Sequence, residues 1–199
     1  EKIELGAYEY VEAPATIAYN HFGNKLATLV AFSKAGINEQ VYKNVAMQVA
    51  AMNPIAVDEC DVPEETKEKE IAVAIEKTKA EQVQKAVEAA LKKAGINPAH
   101  VDSEDHMESN KAKGWITEED VAKAKEIIAT VSAEKAANLP EAMIQNIAKG
   151  RLGKFLKEVC LLNQEDVVAG DKKSVRETLK AVDADLKVLS FKRINLNVD

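Results

Sequence analysis

The chain has 199 residues, with 33 acidic against 27 basic side chains and a net charge of −6 at pH 7. That length is enough to bury a sizeable core, and that charge excludes a uniformly basic protein that coats nucleic acid. Composition is uneven: Ala, Glu and Lys supply 40 of the 74 residues from Glu64 to Ala137, where Trp115 is the one aromatic, while the other eight aromatic residues lie on either side. Such a bias predicts long, surface-rich helices in that stretch. Cys60 and Cys160 stand 100 residues apart without paired spacing, which excludes a disulfide framework or zinc knuckle and predicts buried free thiols in a reducing, cytoplasmic setting. No apolar run approaches a membrane span. The start, Glu1-Lys2-Ile3-Glu4, has neither a signal-peptide layout nor an initiating Met, and predicts a piece of a longer protein.

In chain order, Ile3, Leu5, Ala7 and Val11 alternate imperfectly with polar residues and predict a strand. Pro14 separates it from Thr16-Ile17-Ala18-Tyr19, Gly23-Asn24 signals a turn, and Leu26 to Phe32 reads as a strand covered on both faces. These form an antiparallel meander. Asn38 then caps a helix whose apolar positions Val41, Val45, Val49 and Met52 recur at helical spacing up to Asn53-Pro54.

From Glu64 to Ala94 there is no Gly or Pro, and Ile71, Ile75, Val83, Val87 and Leu91 recur at near-helical spacing before Gly95. Thr117-Glu118-Glu119-Asp120 is a capping box opening a second helix with Val121, Ala124, Ile128 and Val131 on one stripe. Two narrow, Ala-containing seams predict an antiparallel hairpin arm, with Gly95 to Ile116 as its polar turn.

Asn138-Leu139-Pro140 begins a helix with a broader apolar face that includes Ile144, Phe155, Leu156 and Val159. Ser174-Val175-Arg176-Glu177 caps a short helix, and the alternation through Leu186, Val188, Ser190, Lys192, Ile194 and Leu196 ends the chain as a strand rejoining the meander. The fold class is therefore α+β: a small antiparallel sheet covered by helices, with residues 1–63 and 138–199 as the core and 64–137 as an inserted helical arm.

Standard catalytic signatures are missing. There is no Gly-rich phosphate loop, nucleophile elbow or His-Glu-x-x-His, so no catalytic residue, cofactor or metal site is expected. His100, Asp102, Glu104, Asp105, His106 and Glu108 supply ligand atoms, but their spacing matches no standard metal site, and a solvated polar loop is the plainer reading. His21 differs, because it follows Tyr19-Asn20 at a strand end and precedes Phe22-Gly23, so an imidazole and an aromatic ring are displayed together at an exposed turn. An ordinary turn histidine and a binding residue both satisfy this pattern.

At these residues the chain resembles translation elongation factor Ts, the guanine-nucleotide exchange partner of elongation factor Tu. The resemblance lies in Ala18-Tyr19-Asn20-His21 with Lys25 to Val30, in Val45 to Pro54 with Val62-Pro63-Glu64-Glu65, in Ala148 to Phe155 with Glu158 to Leu161, and in Lys173-Ser174-Val175. These stretches occur in the family's order. Residues near 77–137 look like an insertion enlarging the family's coiled-coil hairpin. The resemblance implies a cytoplasmic protein of translation elongation that binds Tu and weakens its hold on nucleotide without covalent chemistry. It implies Tyr19 and His21 as Tu-binding residues, and Phe22, displayed beside them at the exposed turn, is expected to join them; no direct contact with nucleic acid or membrane and no cofactor is expected. Family members also carry a Thr-Asp-Phe-Val segment whose Asp-Phe wedge enters the partner. This chain has no Asp-Phe pair, so the resemblance implies a C-terminal portion with weak exchange activity on its own. From the residues alone, a helical-hairpin module for interaction or self-association stays open beside it.

Overall fold

A computed structural model describes residues 2–196. Its elements are β1 (Ala15–Asn20), β2 (Leu26–Phe32), α1 (Glu39–Met52), α2 (Glu64–Lys93), α3 (Glu104–Ala112), α4 (Glu118–Ala137), α5 (Glu141–Val159), α6 (Val175–Val182) and β3 (Val188–Asn195). This is an α+β arrangement with one three-stranded antiparallel sheet in the order β1-β2-β3. The chain divides into two compact units: Glu1–Lys67 together with Gly153–Asp199, and Glu68–Leu152.

In the first unit the central strand β2 turns Thr28, Val30 and Phe32 onto α1, because side chains two apart share a face. Phe32 is fully buried and its ring lies 4.5 Å from that of Tyr42. The buried Thr28 hydroxyl donates to the Ala46 carbonyl at 2.9 Å, which satisfies a polar group that would otherwise be costly there. Val45, Ala46 and Val49 of α1, with Leu161, Val175, Leu179, Leu186 and Val188, complete this core.

The C-terminal alternation forms β3, but its phase changes. Ala31 pairs with Ser190 and Phe32 with Val188, so Leu189 is skipped at a bulge. Beyond it, Phe191 packs against the core and Arg193 donates to the Ala50 carbonyl at 3.3 Å. The Ile3–Val11 alternation forms no strand: residues 2–12 carry no ladder, and Ile3, Leu5, Tyr8 and Tyr10 are exposed. Alternation prepares a face, but a strand also needs a partner's N–H and C=O groups.

A parallel clamp joins chain segments distant in sequence. Ile55 N–H donates to the Val159 carbonyl, and Leu161 and Leu162 N–H donate to those of Ala56 and Val57, at 2.9–3.1 Å. Arg176 ties the clamp together, reaching Asp58 at 2.6 Å and Asn163 at 3.2 Å. Nearby, Gln48 of α1 receives the Val167 N–H at 3.0 Å and donates to the Glu165 carbonyl at 2.9 Å, pinning the loop that precedes α6.

In the second unit α2 runs 30 residues to a Schellman stop: Gly95 adopts φ +79°, and Ile96 N–H donates to the Leu91 carbonyl at 2.9 Å. Thr117 and Asp120 form the capping box of α4. Both ends agree with local sequence chemistry. The segment between them is not the polar turn that sequence predicts. It holds a 3-10 turn at Pro98–His100 and the helix α3, and Ile96, Val101, Met107 and Ile116 bury with Leu91 and Ala124 in a core of their own. The spacing of those four apolar residues follows no period, so periodicity could not find it.

Candidate functional site: the hairpin turn at Tyr19, His21 and Phe22

The sequence singles out Tyr19, His21 and Phe22, and the structure places all three at one end of the β1–β2 hairpin. Tyr19 closes the inward-facing row of β1, with Ala15 and Ile17, and packs against the core. Its hydroxyl stands 2.9 Å from His21 Nδ1, with ring centroids 5.9 Å apart. The half-buried ring of the tyrosine therefore anchors a phenol that holds the imidazole beyond the strand.

The turn itself is closely specified. His21 N–H donates to the Leu26 carbonyl at 2.8 Å, Asn24 N–H donates to the His21 carbonyl at 3.0 Å, and the Asn20 amide donates to Asn24 Oδ1 at 2.7 Å. Gly23 and Asn24 carry φ of +89° and +55°, conformations that Gly and Asn tolerate and β-branched residues do not. Phe22 precedes Gly23 at the apex and is 98% exposed. A large apolar ring held in solvent on a hydrogen-bonded turn, beside an imidazole that can donate or accept, suits capture of another protein's surface. On the sheet face opposite α1, Ala18, Asn20, Leu29, Lys192 and Ile194 line an open hollow of about 490 Å³.

The acidic and histidine-rich residues belong to the second unit. His106 Nδ1 pairs with Asp102 at 2.5 Å, while the His100 ring lies 5.6 Å from that of Trp115. Among the described residues no group of three or more His, Cys, Asp or Glu is placed to hold a metal ion. Cys160 is buried, and burial pushes its thiol up to about 11, with Glu59 and Asp58 adding to the shift. Cys60 is exposed, contrary to the buried thiol that sequence predicts: it sits in the 3-10 turn Glu59–Asp61, of which no residue is buried. Among the described residues no helix is long and apolar enough to cross a membrane.

Trp115 is the feature that sequence reading passed over. It is 61% exposed, and Lys113 Nζ lies 5.0 Å from its ring centroid. A lone Trp between Gly114 and an Ile at the end of a polar stretch is the only local signal.

Fold and site together define a small α+β protein that presents a short, rigid aromatic turn from the end of a sheet. A family model described as "Elongation factor TS" matches residues 1–96 and 78–198. The chain belongs to the elongation factor Ts family. It is 72% identical over 200 residues to elongation factor Ts of Bacteroides thetaiotaomicron and 70% identical to that of Parabacteroides distasonis, covering 100% of this chain and 60% of each relative. Elongation factor Ts of Flavobacterium psychrophilum is 35% identical over 197 residues, covering 98% of this chain and 51% of that relative. The chain thus spans 60% or less of the length of these relatives.

Proposed function

We propose that this chain binds elongation factor Tu and contributes to the exchange of GDP for GTP in cytoplasmic translation elongation. The observation that carries this reading is the Tyr19–His21 pair beside the exposed Phe22, presented by a family member on a turn fixed by its own hydrogen bonds. In this mechanism exchange is linkage. The protein binds nucleotide-free Tu more tightly than nucleotide-bound Tu, and thermodynamic reciprocity then requires that it weaken nucleotide binding by the same factor. No covalent step, cofactor or metal belongs to this chain's part in it. Tyr19 positions the imidazole, His21 supplies the polar contact and Phe22 the apolar one.

Because the 199 residues contain no Asp-Phe pair, the reading assigns this chain contacts without the family's principal wedge, and therefore weak exchange when it acts alone. Stopped-flow release of a fluorescent GDP analogue from Tu, with this chain and with full-length factor, tests it. Release equally fast with both refutes the weak-exchange reading, and failure of the chain to bind nucleotide-free Tu refutes the binding reading.

A second reading concerns residues 64–137 as an inserted arm that mediates interaction or self-association. It is favoured by the small number of buried residues that the described parts of two long helices possess: three in the 30-residue α2 and one in the 20-residue α4. Helices of this length draw most of their stability from packing of an apolar face, and Ile75, Val83, Val87 and Ile128 line an open groove of about 730 Å³ in this unit. Solution mass with and without residues 77–137 tests it; an assembly unchanged by the deletion rules it out.

A further inference from the structure

The segment between α2 and α4 is a folded platform, and together with the adjoining parts of those two helices it carries two features that the Tu reading does not use. The first is Trp115. Its backbone N–H donates to the Asn110 carbonyl at 3.0 Å, the buried Asn110 amide donates to the His100 carbonyl at 3.1 Å, and the His100 ring lies 5.6 Å from the indole. The ring is thus held by its neighbours and still 61% exposed. A large, pre-positioned aromatic pays little conformational entropy on binding, which is why Trp is enriched among residues that dominate interfaces.

The second is a cleft of about 670 Å³ lined partly by the same turn that carries His100. Val87, Leu91, Val101 and Ile128 give it an apolar floor, and Glu88 and Asp102 bring carboxylates to it. Lys92 also lines it, and His106 Nδ1 stands 2.5 Å from Asp102 Oδ1. An apolar floor with carboxylates beside it matches the chemistry of an arginine or lysine side chain, whose methylene stem lies on apolar surface while its head takes the charge.

Charge decides what kind of partner fits. Residues 95–120 hold seven carboxylates against two lysines, so net −5 of the chain's −6 is concentrated in 26 residues. A nucleic acid or anionic membrane is repelled by such a surface, and a cationic protein segment is attracted to it. We propose that this platform docks a cationic, arginine- or lysine-bearing segment of a partner protein, with Trp115 as the aromatic anchor and the cleft beside Glu88 and Asp102 receiving a basic side chain. This surface belongs to the second unit and the Tyr19–His21–Phe22 turn to the first, and the proposal does not depend on Tu binding.

Trp115 is the sole Trp of the chain, so its fluorescence reports on this site alone. The test uses the intact chain and a fluorescein-labelled peptide of alternating Arg and Ala, with an alternating Glu and Ala peptide as control, near physiological salt, where diffuse attraction is screened beyond about 8 Å. The expected result is a saturable change in Trp115 emission on adding unlabelled arginine peptide. By anisotropy of the labelled peptide, affinity falls about tenfold in Trp115→Ala and again in Glu88→Gln/Asp102→Asn, while Tu-dependent nucleotide release is unchanged in Trp115→Ala. Glu88→Gln alone carries the cleft test if the double variant loses helical signal. No binding of the arginine peptide, equal binding of the glutamate peptide, or equal affinity of the unmodified chain and Trp115→Ala overturns the proposal.

Discussion

The Tyr19 hydroxyl and His21 Nδ1 stand 2.9 Å apart at the end of β1, with the tyrosine ring packed on the sheet's core and the imidazole carried beyond the last strand residue. One residue is held by burial and the other by the first. If this pair serves Tu, removing the imidazole and loosening it should have different consequences. His21→Ala is expected to weaken binding to nucleotide-free Tu by about tenfold, roughly 1.4 kcal/mol. Tyr19→Phe keeps the ring and removes the hydroxyl, so the expected loss is smaller, about threefold. Titration calorimetry with nucleotide-free Tu measures both; equal affinity of His21→Ala and the unmodified chain discards the assignment.

Phe22 offers a cleaner separation of stability from binding. At 98% exposure it contributes almost no buried area to the fold. Phe22→Ala should therefore leave the urea midpoint unchanged while lowering Tu affinity. A shift in the midpoint comparable to that of a core truncation such as Phe32→Ala, about 3–5 kcal/mol, would contradict this role.

Gly95 is a conformational requirement and not a packing one. Its φ is +79°, and no atom lies within 4 Å of where a Cβ would stand. Gly95→Ala should destabilise the second unit by about 1–2 kcal/mol, through the left-handed backbone alone. Gly95→Asn should cost less. Urea unfolding followed by Trp115 emission reads the unit that contains both residues.

The two thiols should separate by access. Cys160 is buried with its thiol pushed up to about 11, and Cys60 is exposed. Thiol titration at pH 7.5 is expected to find one reactive group in the native chain and two in denaturant. Two fast-reacting native thiols would show that the clamp around Ala56 and Cys160 is open.

The Asp58–Arg176 contact gives the first unit an acid limit. Burial by itself would raise the Asp58 carboxyl, but the Arg176 hydrogen bond, the Glu59 N–H and the Arg176 charge outweigh it, so its pKa lies below the ordinary value of 3.8. A depressed folded pKa means that this stabilisation is fully present above the unfolded value and is lost as pH falls through the folded one. Arg176→Ala should therefore destabilise the chain at pH 7 and flatten the part of its acid denaturation below about pH 4. Urea midpoints measured from pH 7 to pH 2 check this; parallel curves for the variant and the unmodified chain would place the acid sensitivity elsewhere.

Local chemistry was legible in the sequence wherever one short segment contains both partners. Asn38, Thr117 and Ser174 cap their helices through groups two or three residues away, Gly95 stops α2 within one turn, and Tyr19 and His21, two residues apart where β1 runs into its turn, meet through neighbouring side chains. Those interactions depend on neighbours that the chain itself supplies in order. Tertiary structure decided the rest. The bulge opposite Phe32 reversed the face of the last strand, and the Ile3–Val11 alternation found no ladder among the described residues. Gln48 met a loop more than 110 residues away, and the irregularly spaced Ile96, Val101, Met107 and Ile116 gathered into a core that left Trp115 outside it. In each of these cases the energy comes from groups far apart in sequence, and no periodicity or cap encodes which of them will meet.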